Sequence, residues 1–203
     1  MYRSVREFTL NAIILKIAVV AMVIFAAGCA TTEVQKTQEN IEISEDYSVN
    51  SEIRDEFERA VALMKAGQYA DAIMLLRAVT GKTSKFSGPF INLGIAYIKM
   101  DDLAKAEESL NKALKLNKVH PAANNELALV YRKTGRFAEA RKIYEALLVR
   151  YPSFLPARKN LGVLCDLYLR DLNCALQQYE SYLSVLPDDE KVKIWVADLK
   201  NRM

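Results

Sequence analysis

The stretch "LALVYRKTGRFAEARKIY", Leu127 to Tyr144, decides the fold. It opens with Leu127-Ala128 and Tyr131, apolar residues three to four apart, on one face of a helix. Phe137 follows, then Ala140 and Tyr144, a second stripe at helical spacing. Two small residues, Ala128 and Ala140, let two helices approach closely, and the bulky side chains fill the seam between them. The unit is a helix–turn–helix.

The same unit recurs on both sides. The small position repeats as Ala60, Gly94, Ala128 and Gly162, each step being 34 residues. The second small position repeats as Ala72, Ala106 and Ala140, then continues at Ala175 after one extra residue. Between them stand Tyr69, Leu103, Phe137 and Leu172, and four residues beyond the second column come Leu76, Leu110, Tyr144 and Tyr179. The extra residue of the fourth copy falls between Gly162 and Ala175, so the turn or the end of the first helix is expected to lengthen while the packing column stays intact.

This spacing resembles the tetratricopeptide repeat (TPR), whose pattern runs W-x₂-L-G-x₂-Y…A-x₃-F…P. Leu93-Gly94-x₂-Tyr97 with Ala106-x₃-Leu110 matches it, as do Leu127-Ala128-x₂-Tyr131 with Tyr144 and Pro152, and Leu161-Gly162-x₂-Cys165 with Tyr179 and Pro187. The first copy departs, with Arg59 in the leucine position and no closing proline. The resemblance covers residues 53–187 and implies an all-α solenoid of about four repeats. Residues 188–203 then read as a capping helix, with Val192, Trp195, Val196 and Leu199 on one face.

Composition agrees: seven glycines and five prolines in 203 residues argue for helices over a turn-rich β fold. The formal charge of +3 hides an asymmetry. Residues 30–58 hold nine acids and two bases, whereas residues 59–203 hold 23 bases and 15 acids. A basic body can face an anionic partner or simply carry a solvated lysine-rich surface.

The N-terminus reads as an export signal. Arg3 and Arg6 precede an apolar run from Ile17 to Ala27, too short to span a bilayer of ~30 Å hydrocarbon. Ala26-Ala27-Gly28-Cys29 resembles the lipobox of bacterial lipoproteins, with Ala26 where leucine is usual. The resemblance implies removal of residues 1–28 and lipidation of Cys29; several tens of acyl CH₂ groups at ~0.8 kcal/mol each would anchor it stably. Ala30, in place of the aspartate that retains such proteins in the inner membrane, implies the outer membrane, facing the periplasm. An uncleaved anchor with Lys16 snorkelling and an ordinary cleaved signal are the alternatives. Residues 29–52 are then a lipidated, acidic tether.

Catalytic machinery is missing from the pattern. His120 is the single histidine, read as a junction-loop residue before Pro121, so neither a histidine metal site nor a Ser-His-Asp triad has its parts. Gly81-Lys82-Thr83 mimics the tail of a phosphate-binding loop, but Leu76 stands where that loop needs glycine. Asp101-Asp102 and Asp188-Asp189 fall at turns and helix starts, where capping accounts for them. No catalytic residue, cofactor or metal set is assigned. Cys165 and Cys174 lie nine residues apart on the two helices of the fourth repeat, across its turn, either bridged or packed as thiols; a thiol enzyme using them is one alternative function, though no acid–base partner accompanies them. Nucleic-acid binding by the basic repeats is the other, and an exported chain argues against it.

The leading expectation is a non-enzymatic scaffold that binds a protein or peptide and positions envelope machinery, such as pilus, secretion or cell-wall complexes. In TPR arrays the first helix of each repeat lines a concave groove. Here those positions hold Phe57, Val61 and Met64, then Ile91, Ile95 and Ile98, then Leu129 and Arg132, and lastly Val163. Phe57 and Val61 stand where a clamp for a free C-terminal carboxylate would need lysine and asparagine. An amphipathic helix or extended apolar segment with acidic flanks is therefore the expected occupant. Oligomeric state is not written in the pattern.

Overall fold

The computed structural model describes residues 50–203. The expected signal segment, Cys29 and the tether up to residue 49 lie outside the described residues. Among the described residues nine α-helices follow one another: α1 Ser51–Lys65, α2 Tyr69–Lys82, α3 Ser87–Lys99, α4 Leu103–Leu116, α5 Pro121–Lys133, α6 Phe137–Arg150, α7 Leu155–Leu164, α8 Leu172–Leu183 and α9 Glu190–Arg202. No strand occurs among the described residues. The first helix starts at Ser51, two residues before the expected repeat boundary, because Asn50 Oδ1 accepts from Glu52 N at 3.1 Å and caps it.

Helices pair as α1–α2, α3–α4, α5–α6 and α7–α8, and each second helix also packs on the next first helix. The small columns form the seams. Ala60, Ala128, Ala72, Ala106, Ala140 and Ala175 are fully buried, as are Leu76, Leu110 and Tyr144. At Gly94 a Cβ would lie 2.6 Å from Leu110 Cγ, and at Gly162 another would lie 2.6 Å from Tyr179 Cδ1. Both contacts are well inside van der Waals distance, so these two glycines are required by the helix approach rather than by backbone freedom.

The turns repeat as faithfully as the seams. Gln68 N donates to Leu63 O at 2.9 Å, Asp102 N to Tyr97 O at 2.9 Å, and Arg136 N to Tyr131 O at 2.8 Å. Each closes a helix through one left-handed residue: Gly67 (φ 75°), Asp101 (φ 59°) and Gly135 (φ 80°). In the fourth repeat Asp171 N donates to Cys165 O at 2.9 Å, and the left-handed residue is Arg170 (φ 55°). That bond spans one residue more than its three counterparts. The additional residue is absorbed as a π-helical turn, Cys165–Leu169, which prolongs α7. Ala175 and Tyr179 regain the seam beyond it and are buried. The turn also carries Cys165 to within 5.9 Å (Cα–Cα) of Cys174, and the two are bonded as a disulfide.

The last helix covers the exposed side of the fourth repeat. Val192 and Leu199 of α9 are fully buried, and the Trp195 ring lies 5.5 Å from that of Tyr179. Arg202 Nη2 pairs with Asp166 at 2.7 Å and Lys200 with Glu180 at 2.7 Å. Ion pairs also tie successive repeats. Lys133 meets Asp101 at 2.5 Å, Arg141 meets Asp171 at 3.1 Å, and Arg136 grips Glu107 with both guanidinium nitrogens while lying 3.9 Å over the Tyr131 ring. Such half-exposed pairs are worth up to about 1 kcal/mol each and fix register more than stability.

Candidate protein-binding face

First helices of neighbouring repeats touch one another, so α1, α3, α5 and α7 build one continuous face. Val61, Ile95, Leu129 and Val163 sit along it at the same position of each repeat, and all four remain partly exposed. Phe57 and Met64 are partly exposed as well. Ile91 and Ile98 are not free surface. Ile98 is only 8% exposed and packs with Ala60, Leu76, Tyr97 and Leu127; Ile91, 5% exposed, packs with Phe90, Ala113, Ala122 and Ala123. In α3, which has a first helix on either side, the side chains a turn before and after the exposed strip are packed between helices, whereas Phe57 and Met64 belong to the terminal repeat. Those two isoleucines are core, a correction to the groove as read from spacing.

Polar residues farther along the face are mostly engaged within the protein. Asn125 Oδ1 accepts from Asn160 Nδ2 at 3.0 Å, while Asn125 Nδ2 donates to Glu126 Oε1 at 2.8 Å. Lys159 Nζ donates to Asp189 Oδ2 at 2.9 Å, and Asp166 holds Arg202. The Lys159 hydrogen bond is the main reason the Asp189 carboxyl is held down to about 2; burial opposes it, and the Tyr182 hydroxyl adds to it. Arg132 is half-buried, its guanidinium 5.6 Å from the Tyr168 ring, and its Nε makes no hydrogen bond. A hollow of about 370 Å³ lies between α7 and α9, with Val163, Leu167, Tyr179 and Trp195 as its apolar walls.

Other residues singled out by sequence resolve as structural. His120 lies in the junction loop just before α5 and is buried there, its carbonyl accepting from Asn124 N at 3.1 Å. Lys82 of the phosphate-loop mimic lies at the end of α2 and pairs with Glu52 and Glu56 at 3.1 and 2.7 Å. Asp102 and Asp189 cap α4 and α9. Among the described residues one group of three metal-ligand types clusters, Cys165, Asp171 and Cys174. The two sulfurs are spent on the disulfide, and Asp171 caps α8 through Cys174 N and pairs with Arg141. No helix among the described residues is long and apolar enough to cross a membrane.

Paired helices stacked with a 34-residue register define a helical-repeat solenoid of the TPR class. Residues 63–118 and 91–153 match tetratricopeptide-repeat models, so TPR repeats are identified over residues 63–153. The probable UDP-N-acetylglucosamine–peptide N-acetylglucosaminyltransferase SPINDLY of Solanum lycopersicum is 28% identical over 113 residues, covering 56% of this chain. The chain spans 12% of that relative's length. Among solved structures, Pseudomonas aeruginosa pilF superposes with a TM-score of 0.68 at 19% identity, covering 75% of this chain and 69% of its own. TTC0263, a thermophilic TPR protein of Thermus thermophilus, gives 0.65 at 19% identity, covering 94% and 97%. At these identities the likeness is one of fold. TPR arrays are generally protein-interaction scaffolds without catalysis of their own.

Proposed function

We propose that the chain is a lipid-anchored scaffold that captures a protein partner on its first-helix face and positions it within bacterial envelope machinery. One observation carries the binding part: Val61, Ile95, Leu129 and Val163 leave an apolar strip partly uncovered at equivalent points of four successive repeats. A stable fold does not need that strip in solvent, and a matching apolar partner surface would gain from covering it. The groove occupant is an amphipathic helix or an extended apolar segment. The anchor rests on the sequence Ala26-Ala27-Gly28-Cys29 and its resemblance to a lipobox, with outer-membrane sorting implied by Ala30.

Two readouts test the two halves. Intact-mass analysis of membrane-extracted protein should find a mature chain beginning at an acylated Cys29, and Cys29→Ser should leave the membrane fraction. A mature chain retaining Met1 contradicts the anchor. For the face, Ile95→Ser with Leu129→Ser should weaken partner capture from intact envelopes by tenfold or more at wild-type helicity, the scale of two lost apolar contacts. Unchanged capture contradicts the binding face.

A further inference from the structure

The second helices carry a surface that the repeat pattern does not call for. A cleft of about 690 Å³ opens between α2 and α4, and the largely buried Phe90 and Tyr97 of α3 also line it. Its size is that of a ligand pocket, large enough for a few residues of a peptide. Arg77 lines it from α2, and Lys105, Lys112 and Lys115 line it from α4. Glu108 is the single carboxylate in its lining.

The charges are unevenly satisfied. Glu108 is held by Lys112 at 2.7 Å, and Lys105 is tied to Asp102 at 2.5 Å with its Nζ 5.6 Å from the Tyr97 ring centroid. Arg77 and Lys115 have no ion pair among the described residues. Arg77 is also close enough for its like charge to work against the proton on Lys105, which the Asp102 hydrogen bond otherwise favours. A carboxylate placed between the walls would relieve that repulsion and give Arg77 a forked partner.

We propose that this cleft is a second binding site, taking a short acidic segment of a partner protein in extended form. Its carboxylates meet Arg77 and Lys115, the two cations of the cleft without an ion pair among the described residues. The cations line the walls of a depression, so a chain can enter between them whereas a flat bilayer meets only the rim. The site is separate from the first-helix face, and its test does not depend on that face.

The test uses the full chain in detergent and two labelled peptides, EEIEFEE and its neutral counterpart QQIQFQQ, followed by fluorescence anisotropy. The acidic peptide should bind and the neutral one should not, with affinity falling severalfold between about 50 and 300 mM salt as screening grows. Arg77→Glu with Lys115→Glu should weaken binding at least tenfold, and Arg77→Gln with Lys115→Gln should weaken it threefold or more if charge reversal disturbs helicity. Leu129→Ser, on the other face, should leave it unchanged. Equal binding of the two peptides, no loss in either double variant, or binding to phosphatidylglycerol vesicles without binding to EEIEFEE would each overturn the proposal.

Discussion

Replacing Asp189 by alanine should loosen the capping helix while sparing the repeats beneath it. One carboxylate does three things here. Its Oδ1 accepts from Val192 N at 3.1 Å and caps α9, while its Oδ2 accepts from Lys159 Nζ and from the Tyr182 hydroxyl, both at 2.9 Å. A lost N-cap costs about 1 kcal/mol. A hydrogen bond to a charged group adds roughly 1.5–3 kcal/mol, and both the Lys159 and the Tyr182 bonds are of that kind. The three share one group and do not add fully, so about 3 kcal/mol is the expected cost. Repeat arrays unfold from their ends, so the loss should appear first as faster amide exchange across residues 190–202, by about a hundredfold at pH 7. Asp189→Asn keeps an acceptor for the cap and should lose about half as much. The pH dependence has a definite sign. The folded carboxyl sits at about 2, below its ordinary value, so its contribution is complete above pH ~4 and fades as pH falls from there through 2. The asparagine variant should lack that acid-dependent fraction. Exchange of α9 within threefold of wild type in Asp189→Ala would refute the reasoning.

Two further changes probe the seam and the bridge. Gly162→Ala pushes a methyl into the Tyr179 ring, which also supports Trp195, and should cost about 1–3 kcal/mol in urea unfolding; an unchanged midpoint would mean that α7 can shift away without loss. Replacing Cys165 and Cys174 together by serine frees a nine-residue separation and should lower stability by about 2.5 kcal/mol on the loop-entropy account; equal stability would assign the bridge no part in holding the π turn.

The repeat seams were legible because close approach admits few residue types. Alanine or glycine at 60, 94, 128 and 162 can be counted along the chain, and each lies in the seam that the count implies. The additional residue of the fourth repeat could be confined to a segment but not given a form. A helix can take up one residue as a longer turn or as a π bulge, and nothing in LYLRDLN forces either. Arg170 occupies the left-handed position where Gly67 and Gly135 serve elsewhere, so the glycine cue was missing. Ile91 and Ile98 show where face reading fails: their exposure depends on how neighbouring helices cross, and a single helix wheel does not contain that. The cleft between α2 and α4 was invisible for the same reason, since Arg77 and Lys115 come together only through the stacking of two repeats.

The central claim is that the first-helix face, and not the outer surface of the second helices around α6, holds a protein partner in the envelope. Photocrosslinking in intact cells addresses it directly, with a benzophenone amino acid placed in turn at Leu129 on α5 and at Val149 on α6. Val149 is 83% exposed and so serves as an accessible control. The account predicts one discrete adduct from position 129, weakened by Ile95→Ser, and none from position 149. Equal adducts from both positions, or an adduct from 149 alone, would contradict it.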